Sequence, residues 1–347
     1  MNNRKLLYAC INSIKKNILL EDYEIIVVNN GPINDSVNTL VNDFNKVILI
    51  NNTKNYGFSK ACNIGASNAS GELLLFLNND TIHSKGWIEK LILFLDNDSS
   101  VGAIQPKIRN IHNENSFDYA GASGGFIDIY GFPFCRGRIF ESIELDTKQY
   151  DNPMKIFWAS GAALMTYKNL FEELNGFDED YFAYMEEIDF CWRLQKKGYE
   201  VWVDPSSIIY HHGKMTIKKG SIKSNFLNHR NSWILFLKNS DTFKFGARII
   251  NRFILDILAL VYSIFRLDWS RFLAIIFSFC SVIVNFPKIM IHRKEMLKNQ
   301  KISMYQGSIA IDYFLFFKRK FSQISFKKFF ASKPLSISSL KWPTASF

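Results

Sequence analysis

Leu73-Leu74-Leu75-Phe76-Leu77-Asn78-Asn79-Asp80-Thr81 joins an unbroken apolar run to a knot of turn-forming polar residues. Five apolar residues closed off in this way predict a strand buried on both faces, the kind that parallel sheets use. Such a strand delivers Asp80 to its carboxyl end. A carboxylate there can hold Mg²⁺ or Mn²⁺ against a diphosphate, because hard cations take oxygen ligands. A plainer reading stands beside it: Asn-Asn-Asp-Thr is also good chemistry for a turn that caps the next helix.

Upstream of this run, residues 4–19 place Leu6, Leu7, Cys10, Ile11, Ile14 and Ile18 on one helical face. Residues 24–28 (EIIVV) then predict a buried strand ending in the turn Asn29-Asn30-Gly31-Pro32, and 47–50 predict another. Short apolar strands alternating with helical sequence predict an α/β fold with a parallel sheet covered by helices. Ligands of such sheets bind beyond the carboxyl ends of the strands. Downstream, about 100–213 are richer in glycine and aromatic residues, notably 119–126 and 130–134. They suit loops and short strands that shape a pocket.

A second acidic signal lies in Gly176-Phe-Asp-Glu-Asp-Tyr-Phe-Ala-Tyr-Met-Glu186-Glu187-Ile-Asp189-Phe-Cys-Trp-Arg193. Carboxylates crowded between aromatics raise one another's pKa toward values useful to a general base. The alternative is a solvated helix face on which Glu186, Glu187 and Asp189 pair with Arg193 or Lys196. A third element, Ile208-Ile-Tyr-His211-His212, ends a strand in imidazoles able to ligate a metal or touch phosphate.

The charge divides along the chain. Residues 214–347 carry 23 Lys/Arg against 5 Asp/Glu, a net of +18, so 1–213 carry −8 within the total of +10. A basic back half implies an anionic partner. Its positive charge is interleaved with apolar stretches at 253–265 and 272–286, which fits an anionic membrane surface rather than nucleic acid. Each stretch is shorter than the roughly 20 residues a spanning helix needs. Helices lying in the interface are expected; core helices of a small subdomain and a hairpin entering the bilayer are the alternatives. The five scattered cysteines, without metal-type spacing, read as reduced thiols, and the N-terminal segment lacks a signal-peptide core. A cytoplasmic protein, peripheral on the inner face of the cell membrane, is expected.

Taken in order, Asn55-Tyr-Gly57-Phe58-Ser-Lys-Ala-Cys-Asn63-Ile-Gly65, Gly71-Glu72 and the Asn78–Asp80 strand end resemble family 2 glycosyltransferases, nearest their rhamnosyltransferase-like branch. Trp158-Ala-Ser-Gly161-Ala162, Gly176-Phe-Asp178-Glu179 and the Glu186-Glu187-Ile-Asp189 cluster are similar to later motifs of that family. The resemblance covers about residues 5–240. It implies a GT-A fold over 1–240, a Rossmann-like mixed sheet with helices on both faces, and a helical, basic, membrane-associating region over 241–347. It also implies inverting, metal-assisted transfer of a sugar, by family proximity rhamnose, from a nucleotide-diphosphate donor to a glycan or lipid-linked glycan.

By the same resemblance Asn29, Gly31, Asn55, Gly57, Asn63, Asn78 and Asp80 bind the donor, and Asp80 and His211 hold Mg²⁺ or Mn²⁺. Glu187 is the general base, while Trp158, Gly161, Glu186 and Asp189 form the sugar pocket. Three departures stand out: the family's apolar strand before the first helix is missing, Asn29 replaces an aspartate, and Glu187 stands where aspartate is usual. They favour, as alternatives to an active enzyme, a truncated chain or a degenerate transferase that only binds a sugar nucleotide or a partner. The glycine-rich basic loop of nucleotidyltransferases is absent from the sequence.

Overall fold

The computed structural model describes residues 3–31, 37, 44–213, 220–240, 245–296, 302–325 and 328–329. Its centre is a mixed sheet whose path runs Met154–Ile156, Glu200–His211, Val101–Asn110, Ala163–Tyr167 and Leu73–Leu77. Thr81–His83 and Asn113–Phe117 add to the ends of the two long strands. Val101–Asn110 and Glu200–His211 run parallel, whereas Ala163–Tyr167 is antiparallel to both its neighbours. The Leu73–Leu77 run is a strand, as its unbroken apolar character predicts, and pairs with Ala163–Tyr167 from Leu77↔Ala163 to Leu73↔Tyr167.

Two apolar layers cover this sheet, and the alternation of side chains along the strands sorts residues between them. Leu73, Leu75 and Leu77 join Cys10 and Ile14 of the helix Asn3–Asn17 and Trp87, Leu91 and Leu95 of the helix Trp87–Asn97. Leu74 and Phe76 turn the other way, to Ala66 of the helix Phe58–Ser67 and to Phe171, Phe177 and Phe190. The fold is thus the expected α/β arrangement with helices on both faces, but the sheet is mixed and not parallel, because Ala163–Tyr167 enters between Leu73–Leu77 and Val101–Asn110 in the opposite direction.

A separate pair of parallel strands, Ile25–Asn29 and Val47–Asn51, stands beside the main sheet without joining it. Its face follows the same rule: Ile25 and Val27 meet Leu7 and Ile11, while Gly65 sits against Val28. The edge of Leu73–Leu77 opposite Ala163–Tyr167 has no paired strand among the described residues.

Beyond the sheet, Ile222–Asn239, Phe245–Phe265 and Trp269–Met296 form helices. The last two run to 21 and 28 residues, longer than the apolar stretches from which they were anticipated. Polar and basic flanks continue the helices past the apolar segments. Among the described residues Trp269–Arg293 alone is long and apolar enough to cross a membrane. The apolar core continues past residue 240, because Val282, Ile289, Tyr305, Tyr313 and Phe321 share one cluster with Trp158 and Phe190.

Candidate active site

A cleft of about 1800 Å³ opens at the carboxyl ends of Ile25–Asn29 and Leu73–Leu77 and extends to the helix Ile222–Asn239. Its first wall is a lattice of asparagines. Asn30 donates to Asn55 Oδ1 (3.2 Å) and the Gly57 carbonyl (2.7 Å), and accepts from the Tyr56 N–H and the Asn52 amide. Asn55 in turn accepts from the Gly57 N–H (2.9 Å), and Asn29 donates to Asn51 (2.9 Å). Gly57 is held at φ +90°, where a Cβ would collide with the Phe182 carbonyl; that carbonyl accepts from the Phe58 N–H at 2.6 Å. Only glycine satisfies both the angle and the approach. Asn29, Gly31, Asn55 and Gly57 all line the cleft. Asn30, the hub that ties them together, was passed over in the sequence, where its only signal is its place in the Asn29–Asn30–Gly31 turn.

The second wall holds Asn78 and His211, with Asp80 buried next to His211 and outside the cleft lining. The His211 imidazole lies between two carboxylates, with Nε2 3.0 Å from Asp80 and Nδ1 2.9 Å from Asp118. Asn78 Nδ2 sits 3.2 Å from Nε2. Burial disfavours the imidazolium, but the hydrogen bonds to Asp118 and Asp80 outweigh it and lift His211 to about 9. Asp118 is a further residue the sequence did not expose, because nothing in Phe117-Asp118-Tyr119 announces a partner 93 positions away.

The donor set suits a divalent cation. Asp80, in the turn after Leu73–Leu77, and His211 Nε2, at the end of Glu200–His211, converge, and a carboxylate on Nδ1 is how a ligating imidazole is usually oriented. No group of three or more His, Cys, Asp or Glu gathers as a metal site among the described residues. The protein would therefore supply Asp80 and His211, leaving the other positions to phosphate oxygens and water.

Glu186 and Glu187 line the same cleft at the start of the helix Glu186–Lys196. The turn before them is strained, since Tyr184 (φ 73°) and Met185 (φ 77°) are both left-handed without being glycine. Asn231, fully buried on Ile222–Asn239, fixes it by donating to the Ala183 and Tyr184 carbonyls at 2.8 and 2.9 Å. Arg230 donates to the Asp180 carbonyl, and Lys238 pairs with Asp178 and Asp180. Burial is the main force that raises Glu187 to about 7, against the pull of backbone N–H groups at the helix start. Glu186 is pushed up further, by burial and then by the charge of Glu187, so it keeps its proton and donates it to Glu187. The pair is a proton donor beside a proton acceptor.

Gly161 faces Glu187, for a Cβ there would lie 3.8 Å from the Glu187 Cβ and 3.5 Å from the Phe58 ring. Trp158 lines the cleft and is anchored by its Nε1 on the Phe126 carbonyl (2.9 Å). Asn63 and Asp189 are placed differently from expectation. Asn63 exchanges two hydrogen bonds with the Phe177 backbone, which ties the helix Phe58–Ser67 to the acidic loop. Asp189 pairs with Arg193 at 2.7 Å and accepts from Asn239 at 2.7 Å. Both stand behind the cleft wall, where packed partners saturate them; for Asp189 this is the helix pairing that was the alternative in the sequence.

Residues 1–170 match the family described as glycosyl transferase family 2. Over these residues, just under half of the chain, the sequence is that of a family 2 glycosyltransferase. The chain is 26% identical over 212 residues to an O-antigen biosynthesis protein RfbC of Myxococcus xanthus, a match covering 60% of this chain but only 16% of that protein. It is 24% identical over 233 residues to an N-acetylglucosaminyl-diphospho-decaprenol L-rhamnosyltransferase of Mycobacterium tuberculosis, covering 61% of this chain and 74% of the relative. Among solved structures, GalNAc-T7 with UDP, GalNAc and Mn²⁺ superposes with a TM-score of 0.51 at 17% identity, covering 65% of this chain and 44% of that one. The shared fold is GT-A. Within this glycosyltransferase the asparagine lattice, Asn78 with His211, and the Glu186–Glu187 pair are three walls of a single cleft.

Proposed function

We propose that this family 2 glycosyltransferase moves a sugar, with inversion, from a nucleotide-diphosphate donor to a hydroxyl of a glycan or lipid-linked glycan during cell-surface polysaccharide synthesis. The observation that carries it is the Glu186–Glu187 pair lining the cleft that also presents Asn78 and His211, with Asp80 buried against the His211 imidazole. The M. tuberculosis relative's name supports rhamnose as the sugar and a lipid diphosphate as the carrier. In this reading the asparagine wall holds the nucleoside end of the donor and Asn78 faces its diphosphate. Glu187 accepts the proton of the acceptor hydroxyl as that oxygen attacks the anomeric carbon. Trp158 and Gly161 keep the two sugars in line and water out. The chemistry a bound Mg²⁺ or Mn²⁺ supplies at Asp80 and His211 is neutralisation of the charge on the diphosphate. The basic helices, whose apolar sides stay exposed, support work at the cytoplasmic face of the membrane.

The test is turnover of dTDP-, UDP- and GDP-sugars on a lipid-linked acceptor with Mn²⁺, with the anomeric configuration of the product read by NMR. An inverted product that disappears in Glu187→Gln supports the reading; a retained configuration overturns it. The open strand edge favours a second reading, a transferase that binds sugar nucleotide without turnover. Metal-dependent nucleotide binding with no product on any acceptor would establish that alternative.

A further inference from the structure

Arg138 is a buried cation without an anion. It keeps 8% of its surface exposed, yet it lines the cleft. A guanidinium carries five N–H donors. Here one meets the Phe140 carbonyl and one the Cys135 sulfur, each at 3.3 Å, while the buried Nε meets nothing. The group sits over the Tyr119 ring at 4.3 Å, and that ring also lines the cleft. Among the described residues no carboxylate forms an ion pair with it; the charge of Glu141 acts on it from a distance, at the exposed rim of the cleft.

Other buried arginines of the chain show how a structural guanidinium is satisfied. Arg136, two residues earlier, donates to the Ser123 hydroxyl, the Tyr150 and Asn152 carbonyls and the Met154 sulfur at 2.9–3.1 Å. Arg193 and Arg252 each pair with a carboxylate, Asp189 and Asp256, and each donates to two further acceptors at 2.5–2.9 Å. A charge taken out of water is costly unless it is paired and hydrogen-bonded. Arg136 and Arg193 stand outside the cleft lining, and Arg252 lines it fully partnered. Arg138 combines burial, the cleft and unmet donors. A planar fork in that state matches a phosphate or a carboxylate.

Neighbours on two sides locate it. Tyr119 follows Asp118, the partner of His211. Cys135 is the register partner of Arg138 across a hairpin turned at Gly137 (φ +115°). Burial pushes the Cys135 thiol up and Arg138 pulls it down, while the charge of Glu187 also reaches it. Arg138 thus stands between the His211 wall and Glu187, and none of its partners belongs to the asparagine lattice. The cleft also reaches His229 and Arg271, close in sequence to the exposed Leu267 and Trp269, so it has an entrance apart from the nucleotide wall. We propose that Arg138 binds an oxyanion, phosphate or carboxylate, carried by the acceptor and held beside Glu187. An acidic acceptor would supply the missing partner of the guanidinium, whereas a neutral one would leave it buried and unmatched. The assignment to the acceptor rests on the sugar-transfer reading; the oxyanion site itself does not.

The experiment titrates the full chain calorimetrically with N-acetylglucosamine 1-phosphate, glucuronate and uncharged N-acetylglucosamine, alone and with UDP, dTDP or GDP and Mg²⁺ added. At least one anion should bind about tenfold or more tighter than the neutral sugar and stay bound when nucleotide is added. Preference for the phosphate identifies a phosphorylated acceptor, and preference for glucuronate an acidic glycan. Arg138→Gln should weaken the anion by about tenfold or more, with Arg138→Lys in between. Because its own contacts are poor, Arg138→Gln should leave the unfolding midpoint unchanged or raised, while Arg136→Gln lowers it. Anions that bind no better than the neutral sugar, that nucleotide displaces, or that keep full affinity in Arg138→Gln would overturn the proposal, as would a midpoint that falls as far as in Arg136→Gln. Anion binding without turnover would sink the transfer reading and leave the site standing. Turnover of a neutral acceptor that Arg138→Gln does not change would do the reverse.

Discussion

Glu187 is poised by its burial and by its hydrogen bond with Glu186, and each can be tested separately. Its carboxyl titrates near 7, and its ionised form is the one that accepts a proton, so turnover should rise with pH through about 7 and then level off. The stability consequence has the opposite sign. The folded protein keeps a proton that the unfolded chain releases from its ordinary 4.5, so this group favours the fold at low pH and ceases to as pH passes 7. Glu187→Gln should reduce turnover by about 10²–10⁴-fold while nucleotide affinity, read by calorimetry, stays within about twofold.

The proton that Glu186 donates restrains Glu187, so Glu186→Gln, which still donates, should leave the acid limb of the pH profile in place. Glu186→Ala removes the donor and should move that limb to higher pH. A limb that moves equally in both variants would show that charge, not the hydrogen bond, controls Glu187. At this scale the cluster was legible because carboxylates between aromatics are chemically conspicuous. Which of them face the cleft was not, because Asp189 differs from its neighbours only in finding Arg193 and Asn239.

The element that matters most for those carboxylates is one the sequence left anonymous. Ile222–Asn239 reads as the start of a basic tail, yet Asn231, Arg230, Lys238 and Asn239 all fasten the loop and helix that present Glu187. A linear reading records those side chains as charge and polarity; their partners lie 40 to 60 residues away and become visible only when the helix docks. The strands were plainer. Residues 73–77, 24–28 and 47–50 announce themselves as short apolar runs between turn residues, and they appear as Leu73–Leu77, Ile25–Asn29 and Val47–Asn51.

Asn231→Ala tests the docking. It leaves the carbonyls of half-buried Ala183 and Tyr184 without this donor, a loss of about 1 kcal/mol that denaturant unfolding would measure. Release of the left-handed Tyr184–Met185 turn should then lower kcat more than it raises KM. A stability loss with unaltered kcat would mean the loop holds its shape without the helix. On the opposite side of the cleft, Gly57→Ala should displace Phe182 and weaken nucleotide binding by about tenfold or more, since a side chain there meets backbone rather than a flexible tip.

For the whole molecule, the separation of charge has a structural counterpart. Phe265 keeps 83% of its surface exposed, Val284 77% and Phe317 69%, far more than burial of apolar groups would leave in a free surface. Arg266, Arg271 and Lys320 stand in the same segments. Apolar side chains beside basic ones make a face suited to anionic lipid, each cation contributing about 1 kcal/mol near such a surface. That contribution is screened over about 10 Å at 0.1 M salt and about 3 Å at 1 M, whereas apolar insertion is not.

The protein should therefore sediment with phosphatidylglycerol vesicles at low salt and be released in large part by 1 M salt, and bind neutral vesicles weakly. Phe265→Ser with Phe317→Ser should weaken binding at every salt concentration without lowering the unfolding midpoint, because neither side chain is packed. Arg266→Glu with Lys320→Glu should weaken it only at low salt. Binding that resists both high salt and alkaline extraction would instead place Trp269–Arg293 across the bilayer, the one described helix both long and apolar enough to span it. The docking of that helix would then have to open, since Ala274, Ile275 and Val282 are buried against the rest of the chain.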